Sequence, residues 1–455
     1  MKVINPYNNK VAGEIDLMSK EQINFIVDKA VNAEKAMKKL TGKQRRSILF
    51  DIAERIEDRK EAFISTIIVE SGKPRKYAIA EVSRAIETFS IAAEESIRWP
   101  HELMDLDRSD KGKTLKAKVF YEPVGLTFGI SPFNFPLNLA VHKIAPAIAA
   151  GCPILLKPSS KTPLTMELLK DIILETELPD GAFEIIHCSR ENGNDIIKSD
   201  KIKLISFTGS PNVGWKIKEM SGKKRVVLEL GGNAATIICD DVEVNEKLID
   251  EMVVGGFAYS GQVCIHTQRI YVHKSKFDEF LKKYKSAVEK LQVGDPISSD
   301  TNYSCMIDES NIERVHKWVE EAKNNGAKII TGGKRVEDNS YAPTVLTEVK
   351  KGDKVRDEEV FGPVVVVEPF TTLDDAISMV NDSRWGLQAS IYTDKISYLN
   401  KAFENLSVGG VIHNLPTTFR VDEMPYGGIK DSGFGREGVK YAIKDYFEPK
   451  LLVSE

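Results

Sequence analysis

The sequence predicts an α/β fold built on a doubly wound parallel sheet. Short apolar runs that are typical of buried strands recur from residue 124 onward, and helical stretches separate them. One such helix is predicted over 163–177, with Thr162 as its cap and Pro163 at its first position. Strand, helix and strand in this order favour parallel pairing. The runs predicted as strands of this sheet are 124–130, 154–157, 183–187, 204–208 and 226–230.

The residues before and after this block complete the predicted organisation. Apolar residues recur at helical spacing within 19–100, and Ser19 followed by Gln22 matches a capping box. A second alternating block covers about 236–430, which indicates a second α/β domain and a cleft between the two. The strand-like segments 113–122 and 447–453 fit neither block. The candidate strands of the second block are 269–273, 327–331, 364–370 and 410–413.

The composition is that of an ordinary globular protein. The chain has 455 residues, enough for two or three domains, and a net charge of −4 that favours neither nucleic acid nor anionic membranes as partners. The sequence has no apolar run of about 18 residues that would predict a membrane span, and no apolar leader follows Met1. The five cysteines form no CxxC pair and no His cluster has metal-ligand spacing, so we expect a cytoplasmic protein without a metal site.

Two residues framed by glycines carry the most specific chemical signal. Cys264 ends the sequence GQVC, and Glu229 lies in LELGG. A thiolate can attack a carbonyl carbon and form a covalent intermediate, and a carboxylate can activate the water that releases the product. Cys305, in a polar segment, is a weaker rival nucleophile. The cysteines predicted to pack in or beside strands are Cys152, Cys188 and Cys239.

Four further motifs, PFNFP, LLKPS, FTGSPNVG and EEVFGPV, accompany this pair. In order and spacing, the six motifs resemble those of the aldehyde dehydrogenase superfamily over nearly the whole chain. Within it, the segment FRVDEMPYGGIKDSG at 419–433 is similar to those of archaeal lactaldehyde dehydrogenases and non-phosphorylating glyceraldehyde-3-phosphate dehydrogenases. The residues of the four motifs to which the resemblance gives a role are Asn134, Lys157, Gly209, Ser210, Gly214, Glu359 and Phe361.

The resemblance implies a three-part architecture. A Rossmann-like dinucleotide-binding domain is expected over 1–104 and 124–235, and an α/β catalytic domain over 236–430. A small β oligomerisation arm over 105–123 and 431–455 would pair subunits into a homodimer or homotetramer. The alternative for the arm is an ordinary hairpin and tail.

The resemblance also implies roles for the catalytic residues. Cys264 attacks an aldehyde, and the Asn134 amide with the Cys264 backbone N–H forms the oxyanion hole. Transfer of a hydride to nicotinamide leaves a thioester, which Glu229 hydrolyses through an activated water. Relatives that release their acyl group to coenzyme A usually lack this glutamate. The alternative for Asn134 is an asparagine that satisfies a turn.

Twelve residues are expected to bind NAD or NADP. Ser210 and Pro211 suit the start of a helix whose N-terminus faces the pyrophosphate. Ser160 stands where NAD-preferring relatives often carry an acid, so NADP should be tolerated and NAD is not excluded. The twelve are Ser131, Pro132, Phe133, Lys157, Ser159, Ser160, Gly209, Ser210, Gly214, Leu230, Glu359 and Phe361.

A second glycine pattern, GFGREG at 433–438, matches GxGxxG but follows a polar segment instead of a strand. We therefore predict a structural turn near the rim of the active site instead of a dinucleotide site.

The substrate is expected to be a small aldehyde, and two residues are candidates to contact it. Arg420 could hold a carboxylate or phosphate, unless it pairs with Asp422 or another neighbour. His142 could add a donor, unless it is a satisfied buried histidine. Val263 and the FY pair at 120–121 stand where doubly anionic substrates often meet arginine in relatives, which favours oxidation of lactaldehyde to lactate. Glyceraldehyde 3-phosphate and succinate semialdehyde remain alternatives, as does a non-catalytic protein on the same fold.

Overall fold

A short hairpin and four helices form the N-terminal part of the computed structural model, which describes residues 1–98, 101–336 and 339–455. The predicted capping box at Ser19 and Gln22 is confirmed. The last two residues of the predicted helical region 19–100 lie outside the described residues. The elements are β1 (Lys2–Ile4), β2 (Val11–Glu14), α1 (Lys20–Lys39), α2 (Gly42–Asp58), α3 (Lys60–Ser71) and α4 (Arg75–Glu95).

A parallel sheet follows, and its strand order reverses at one point. The parallel strands lie in the spatial order 9-8-5-6-7 of the labels below. The chain therefore winds outward from the fifth strand, returns, and winds outward on the other side, as a doubly wound sheet does. The elements are β3 (Glu102–Asp105), β4 (Lys116–Pro123), β5 (Thr127–Ile130), α5 (Asn138–Ala150), β6 (Ile154–Lys157), α6 (Leu164–Leu174), β7 (Phe183–Ile185), α7 (Arg190–Lys198), β8 (Leu204–Thr208), α8 (Pro211–Met220) and β9 (Arg225–Glu229).

Two local predictions for this sheet were wrong. The strand predicted over 124–130 starts only at Thr127, because Gly125 has a φ of +111° that an extended strand does not allow. Thr162 does not cap α6, which begins at Leu164. The carboxylate of Glu70, from α3, instead accepts the Leu164 N–H at 2.7 Å and the Thr165 N–H at 3.1 Å.

A second, seven-stranded sheet holds the other α/β block, with its strands in the spatial order 12-15-16-11-10-18-19. The four predicted strands of this block belong to it, and all neighbours are parallel except the pair 12 and 15. The elements are β10 (Ala235–Ile238), α9 (Glu246–Phe257), β11 (Arg269–His273), α10 (Phe277–Val288), α11 (Glu309–Asn324), β12 (Lys328–Thr331), β13 (Arg335–Val336), β14 (Ser340–Tyr341), β15 (Thr344–Thr347), α12 (Lys354–Asp357), β16 (Val364–Phe370), α13 (Leu373–Asn381), β17 (Trp385–Gly386), β18 (Gln388–Tyr392), α14 (Ile396–Asn405) and β19 (Gly410–His413).

The C-terminal elements join two different sheets. They are β20 (Ile429–Lys430), β21 (Gly433–Phe434), α15 (Val439–Ala442) and β22 (Phe447–Ser454). Strand β21 pairs antiparallel with β9 of the first sheet, whereas β22 pairs antiparallel with β4, and β4 with β3. The resulting three-stranded sheet exposes Leu103, Leu451 and Leu452. None of the helices formed by the described residues has the length and apolar character of a membrane span.

Candidate active site

One cavity of about 450 Å³ collects residues of five of the six motifs, which lie far apart in the sequence. Asn134 follows β5, Thr208 ends β8 and is followed by Gly209, and Glu229 ends β9. Because these strands are parallel and adjacent, their carboxyl ends meet at the point where the strand order reverses. Cys264, from the loop between α9 and β11, lines the same cavity from the second sheet. The fold thus brings together all three residues predicted to be catalytic.

A strained turn places Cys264. Tyr259, Ser260 and Gly261 have φ values of 48°, 54° and 69°, and the first two are unusual for residues that carry side chains. The Tyr259 hydroxyl donates to the Ser71 carbonyl at 3.1 Å, and the Ser260 hydroxyl donates to the Ser304 carbonyl at 2.7 Å. These two hydrogen bonds hold the turn in place just before the cysteine.

The Cys264 sulfur has one side-chain hydrogen-bond partner among the residues that the structure describes. Its Sγ is 2.9 Å from the hydroxyl oxygen of Tyr426. Burial raises the pKa of the Cys264 thiol to about 11, while the hydrogen bond with Tyr426 acts in the opposite direction. Cys305, the weaker rival nucleophile, is fully buried and is not part of the cavity wall. The thiols of Cys152, Cys188 and Cys239 are buried as well.

Asn134 connects the two halves of the site. Its side-chain amide nitrogen donates to the Gln262 carbonyl at 3.0 Å, and only 3% of the residue is exposed. Since Gln262 is two residues before Cys264, this bond fixes the amide beside the cysteine loop. A neutral donor in this place can meet a developing oxyanion without protonating a thiolate.

Glu229 is a buried acid without hydrogen bonds. It is 3% exposed, and neither carboxyl oxygen has a hydrogen-bond partner among the residues that the structure describes. Burial, together with the nearby negative charge of Glu437, raises the pKa of Glu229 well above its ordinary value. Gly427 makes room for it, because a Cβ there would lie 2.8 Å from a carboxyl oxygen of Glu229. A buried acid with a raised pKa in a cavity is suited to proton transfer.

Most of the predicted cofactor residues lie along the carboxyl edge of the first sheet, whereas Glu359 and Phe361 lie between α12 and β16 of the second sheet, and some of both groups form the cavity wall. Ser210 is the N-cap residue of α8 and Pro211 is its first helical residue, as predicted, but the Ser210 side chain makes no capping hydrogen bond. Ser131, 4% exposed, has a buried hydroxyl without a partner among the described residues. The wall contains Pro132, Phe133, Gly209, Ser210, Leu230, Glu359 and Phe361. Outside the wall lie Ser131, Lys157, Ser159, Ser160 and Gly214.

Glycines allow a close approach on both sides of this wall. A Cβ on Gly214 would overlap the Leu230 side chain, and a Cβ on Gly231 would overlap the Glu359 carboxylate. The Gly232 N–H donates to Glu359 at 3.1 Å, and burial raises the pKa of Glu359 to about 7.

This wall suits a dinucleotide. A free helix N-terminus can take a pyrophosphate, and a carboxylate such as that of Glu359 can bind ribose hydroxyls. The Phe133 and Phe361 rings meet edge to face, with centroids 5.8 Å apart, and offer a flat group such as nicotinamide an apolar contact.

The two predicted substrate residues belong to a buried ion cluster that borders the cavity. Arg420 pairs with Glu437 at 3.1 Å instead of with Asp422, which takes two hydrogen bonds from Arg84 at 2.6 and 3.0 Å. His142 is 2% exposed and lies 2.8 Å from Asp422. Neither Arg420 nor His142 forms part of the cavity wall.

The cations of this cluster lower the pKa values of its two acids, Asp422 and Glu437. Burial alone would raise them, but the hydrogen bond with His142 and the pair with Arg84 hold the pKa of Asp422 far below its ordinary value. Lys143, 3.0 Å from Glu437, helps to bring the pKa of Glu437 to about 2. Lys143 also donates to Thr208 in the cavity wall at 2.6 Å, which joins the cluster to the cavity.

Several residues of the site were not identified from the sequence. Tyr426 lies in the FRVDEMPYGGIKDSG segment that carried part of the resemblance, and Glu437 lies inside GFGREG, which forms a short strand and turn against β9. Arg314 and Trp318 line the cavity from one face of α11, with the guanidinium 4.8 Å from the indole ring. Their spacing of four residues was an available signal for a shared helix face.

Comparison with known proteins identifies the class. The model of the aldehyde dehydrogenase family matches residues 1–452. The 3-sulfolactaldehyde dehydrogenase of Priestia megaterium is 39% identical over 454 residues, which cover 100% of this chain and 94% of the relative. The lactaldehyde dehydrogenase of Methanococcus aeolicus is 38% identical over 458 residues and covers 100% of this chain and 97% of its own.

Solved structures give the same result. Aldehyde dehydrogenase 21 from Physcomitrella patens, in complex with the reaction product succinate, superposes with a TM-score of 0.98 at 43% identity and covers 100% of this chain and 95% of its own. The glyceraldehyde-3-phosphate dehydrogenase GapN from Methanocaldococcus jannaschii, complexed with NADP, has a TM-score of 0.95 at 37% identity, with 100% and 98% covered.

The chain therefore belongs to the aldehyde dehydrogenase family. The predicted fold class and the predicted class of enzyme, an NAD(P)-dependent aldehyde dehydrogenase, are both confirmed.

Proposed function

We propose that this enzyme oxidises a short 2-hydroxyaldehyde, with lactaldehyde as the first candidate, to the carboxylic acid through a thioester on Cys264. The observation that carries the proposal is that Cys264, Asn134 and Glu229 line one cavity whose wall suits a dinucleotide.

The geometry supports a two-stage mechanism. The Cys264 thiolate adds to the aldehyde carbon, and the new oxyanion accepts hydrogen bonds from the Asn134 amide and the Cys264 backbone N–H. The dinucleotide, when bound by the wall around Glu359 and Phe361, supplies the hydride acceptor. Glu229 then takes a proton from a water molecule, which attacks the thioester carbon and frees the acid and the thiolate. The buried carboxyl of Glu229 favours hydrolysis over transfer to coenzyme A.

The adenosine end supports the use of NADP as well as NAD. Ser160 is exposed and leaves no negative charge at its position, and Arg190 is exposed at the first position of α7. Arg190 is near enough to Lys157 to lower the pKa of the lysine, after the larger effect of burial. Arg190 has no ion-pair partner among the described residues. Two cations at this edge favour a 2′-phosphate.

The charges beside the cavity favour a small uncharged hydroxyaldehyde over a phosphorylated one. The positive charge of Arg420 is offset by Glu437 at 3.1 Å, so little of it is free for a doubly charged phosphate. Val263 precedes the cysteine and adds no cation.

A singly anionic aldehyde is the second candidate. The Nε of Arg420 is buried without a hydrogen-bond partner among the described residues, and a carboxylate or sulfonate could satisfy it. The relatives named for 3-sulfolactaldehyde and solved with succinate make such substrates worth testing.

We further propose that the sheet of β3, β4 and β22 is an oligomerisation arm of a homodimer or homotetramer, since it exposes apolar side chains at two strand edges. None of the five cysteines, all of which lie among the described residues, is in a disulfide, which suits a reducing compartment such as the cytoplasm.

The substrate proposal is tested by measuring kcat/KM for four aldehydes with NAD and NADP separately. Lactaldehyde should give the highest value, ahead of 3-sulfolactaldehyde, succinate semialdehyde and glyceraldehyde 3-phosphate. A value for any anionic aldehyde more than about tenfold above that for lactaldehyde, equivalent to about 1.4 kcal/mol, would reject lactaldehyde. Inclusion of coenzyme A should not change the product, which is the free acid.

A further inference from the structure

The nucleophilic sulfur has an unusual neighbour. The Tyr426 hydroxyl, 2.9 Å from Sγ, is the only side-chain hydrogen-bond partner of Cys264 among the residues that the structure describes. Tyr426 is 4% exposed. A thiolate has no proton to donate, so in the reactive state the phenol must be the donor in this contact.

A cation lies over the face of the same ring. The guanidinium carbon of Arg420 is 3.7 Å from the centroid of Tyr426, in the position of a cation–π contact. A cation on the face of the ring draws electron density from the phenol and makes its O–H a stronger donor. Arg420 thus reaches the sulfur through the tyrosine, although Arg420 is not part of the cavity wall.

Two backbone hydrogen bonds hold Tyr426 beside Glu437. The Tyr426 N–H donates to the Glu437 carbonyl at 3.1 Å, and the Glu437 N–H donates to the Tyr426 carbonyl at 2.6 Å. The Glu437 side chain in turn pairs with Arg420 at 3.1 Å. Tyrosine, arginine and glutamate therefore form one closed unit whose hydroxyl is directed at the sulfur.

We propose that Tyr426 is a further catalytic residue, which stabilises the Cys264 thiolate by donating its phenolic hydrogen bond, and that Arg420 strengthens this donor from its position over the face of the ring. The inference deepens the proposed function and rests on Cys264 being its nucleophile. The thiol proton leaves to water and the phenol keeps its own, so no further reactant is needed.

The acids around the sulfur disfavour a thiolate, so a hydrogen-bond donor such as Tyr426 is needed to stabilise it. Glu359 and Glu229 are the acids that face Cys264, and both disfavour a second negative charge. Burial disfavours it further. The groups that favour the thiolate are Tyr426, by its hydrogen bond, and Arg420, by its charge. Arg420 and Glu229 are also charged groups that face Tyr426.

The test measures thiol ionisation in the full-length enzyme without aldehyde or dinucleotide. The rate of iodoacetamide alkylation of Cys264, identified by mass spectrometry, is followed against pH, with Cys264→Ala as the blank. Tyr426→Phe removes only the hydroxyl, and it should move the midpoint up by about one pH unit and slow alkylation at pH 7 about tenfold. Tyr284→Phe is the matched control, since its buried hydroxyl donates to the Met252 carbonyl at 3.2 Å, away from the sulfur. Its profile should equal that of the wild type.

A second variant tests the arginine. Arg420→Lys keeps a cation for Glu437 and loses the flat contact with the ring, so it should raise the midpoint by less than Tyr426→Phe does. In the Tyr426→Phe background it should have no effect, because the hydroxyl through which it acts is absent. An equal shift in both backgrounds would overturn the role assigned to Arg420.

An unchanged or lower midpoint in Tyr426→Phe overturns the proposal, including the case in which turnover falls while the profile stays the same. Failure of the wild-type enzyme to oxidise any aldehyde would reject the proposed function instead. The alkylation profile needs no aldehyde, so the two failures are distinguishable.

Discussion

The dinucleotide wall of the cavity and the buried ion cluster beside it are built in opposite ways. The wall consists of short consecutive motifs, as in the residues around Phe133 and Glu359, and burial raises the pKa of Glu359. The cluster combines residues from distant parts of the chain, such as Arg84 with Asp422, and its acids have lowered pKa values. The difference shows that a buried carboxyl acquires its properties from the cations that accompany it, and not from burial alone.

The strongest test of this contrast is Cys264→Ala. Turnover should fall by about 10⁴-fold or more, because no other described cysteine reaches the cavity. The affinity for the dinucleotide, measured through the quenching of tryptophan fluorescence, should stay within about twofold of that of the wild type. A variant that retains turnover would remove Cys264 as the nucleophile, and one that loses dinucleotide binding would show that the two functions are not separable.

Glu229→Gln tests the acid that lies between the wall and the cluster. One equivalent of reduced dinucleotide should form rapidly, and steady-state turnover should then be lower by about 10²-fold, since a general base contributes that much or more. Gln keeps the shape, and the carboxyl has no hydrogen bond to lose among the described residues, so the melting temperature should not fall. Undiminished turnover would exclude the hydrolytic role.

The pH dependence of the same step has a defined sign. Glu229 must be ionised to take a proton from water, and its pKa is raised by burial. Hydrolysis of the thioester, measured after a single turnover in the wild type, should therefore increase with pH beyond the range in which an ordinary glutamate is already ionised. A rate that has levelled off by pH 5 would mean that the carboxyl is not the base.

The contrast also explains which parts of the site the sequence could predict. Cys264, Glu229 and Asn134 each lie in a short motif whose glycines and prolines fix the local backbone. Their catalytic roles could therefore be predicted without the fold. The Arg84–Asp422 and Lys143–Glu437 contacts join residues 338 and 294 positions apart, and no local pattern indicates them. Tyr426 was visible in a motif, but its contact with Cys264 follows only from the packing of the two sheets.

The same reasoning holds for the fold. Apolar runs such as 154–157 predicted buried strands correctly, because a parallel strand is buried on both faces. The predicted start of α6 was wrong, because Glu70 from another helix satisfies the N–H groups that Thr162 was expected to satisfy. Tertiary caps of this kind cannot be distinguished from local ones by sequence spacing.

Glu437→Gln tests the cluster itself. Lys143 and Arg420 would remain buried without their carboxylate, and the free energy of unfolding at pH 7 should fall by about 3–5 kcal/mol. The pKa of Glu437 is lowered from its ordinary value of 4.5 to about 2. Its contribution to the free energy of unfolding is therefore present above pH 4.5 and is lost as the pH falls towards 2. Denaturant titrations at pH 3, 5 and 7 should therefore show the difference between the variant and the wild type shrinking at pH 3.

Glu359→Gln is the matched variant on the dinucleotide wall and should show the opposite sign. The pKa of Glu359 is raised from 4.5 to about 7, so its contribution to stability is present below pH 4.5 and is lost as the pH rises through 7. As the pH rises from 5 to 7, the free energy of unfolding should fall less in the variant than in the wild type. If the two variants respond to pH in the same direction, the contrast between wall and cluster is wrong.

The smallest effect is expected outside the wall at Ser160, because this residue is exposed and solvent weakens its electrostatic interactions. Ser160→Glu adds a negative charge at the position proposed to face the 2′-phosphate of NADP. It should lower kcat/KM for NADP about tenfold and leave kcat/KM for NAD within about twofold. Ser160→Gln has the same length without the charge and should change neither value by more than about twofold. An equal loss with both dinucleotides in Ser160→Glu would place the effect on the loop as a whole, whereas a loss for NADP that disappears at high salt would confirm that a surface charge separates the two cofactors.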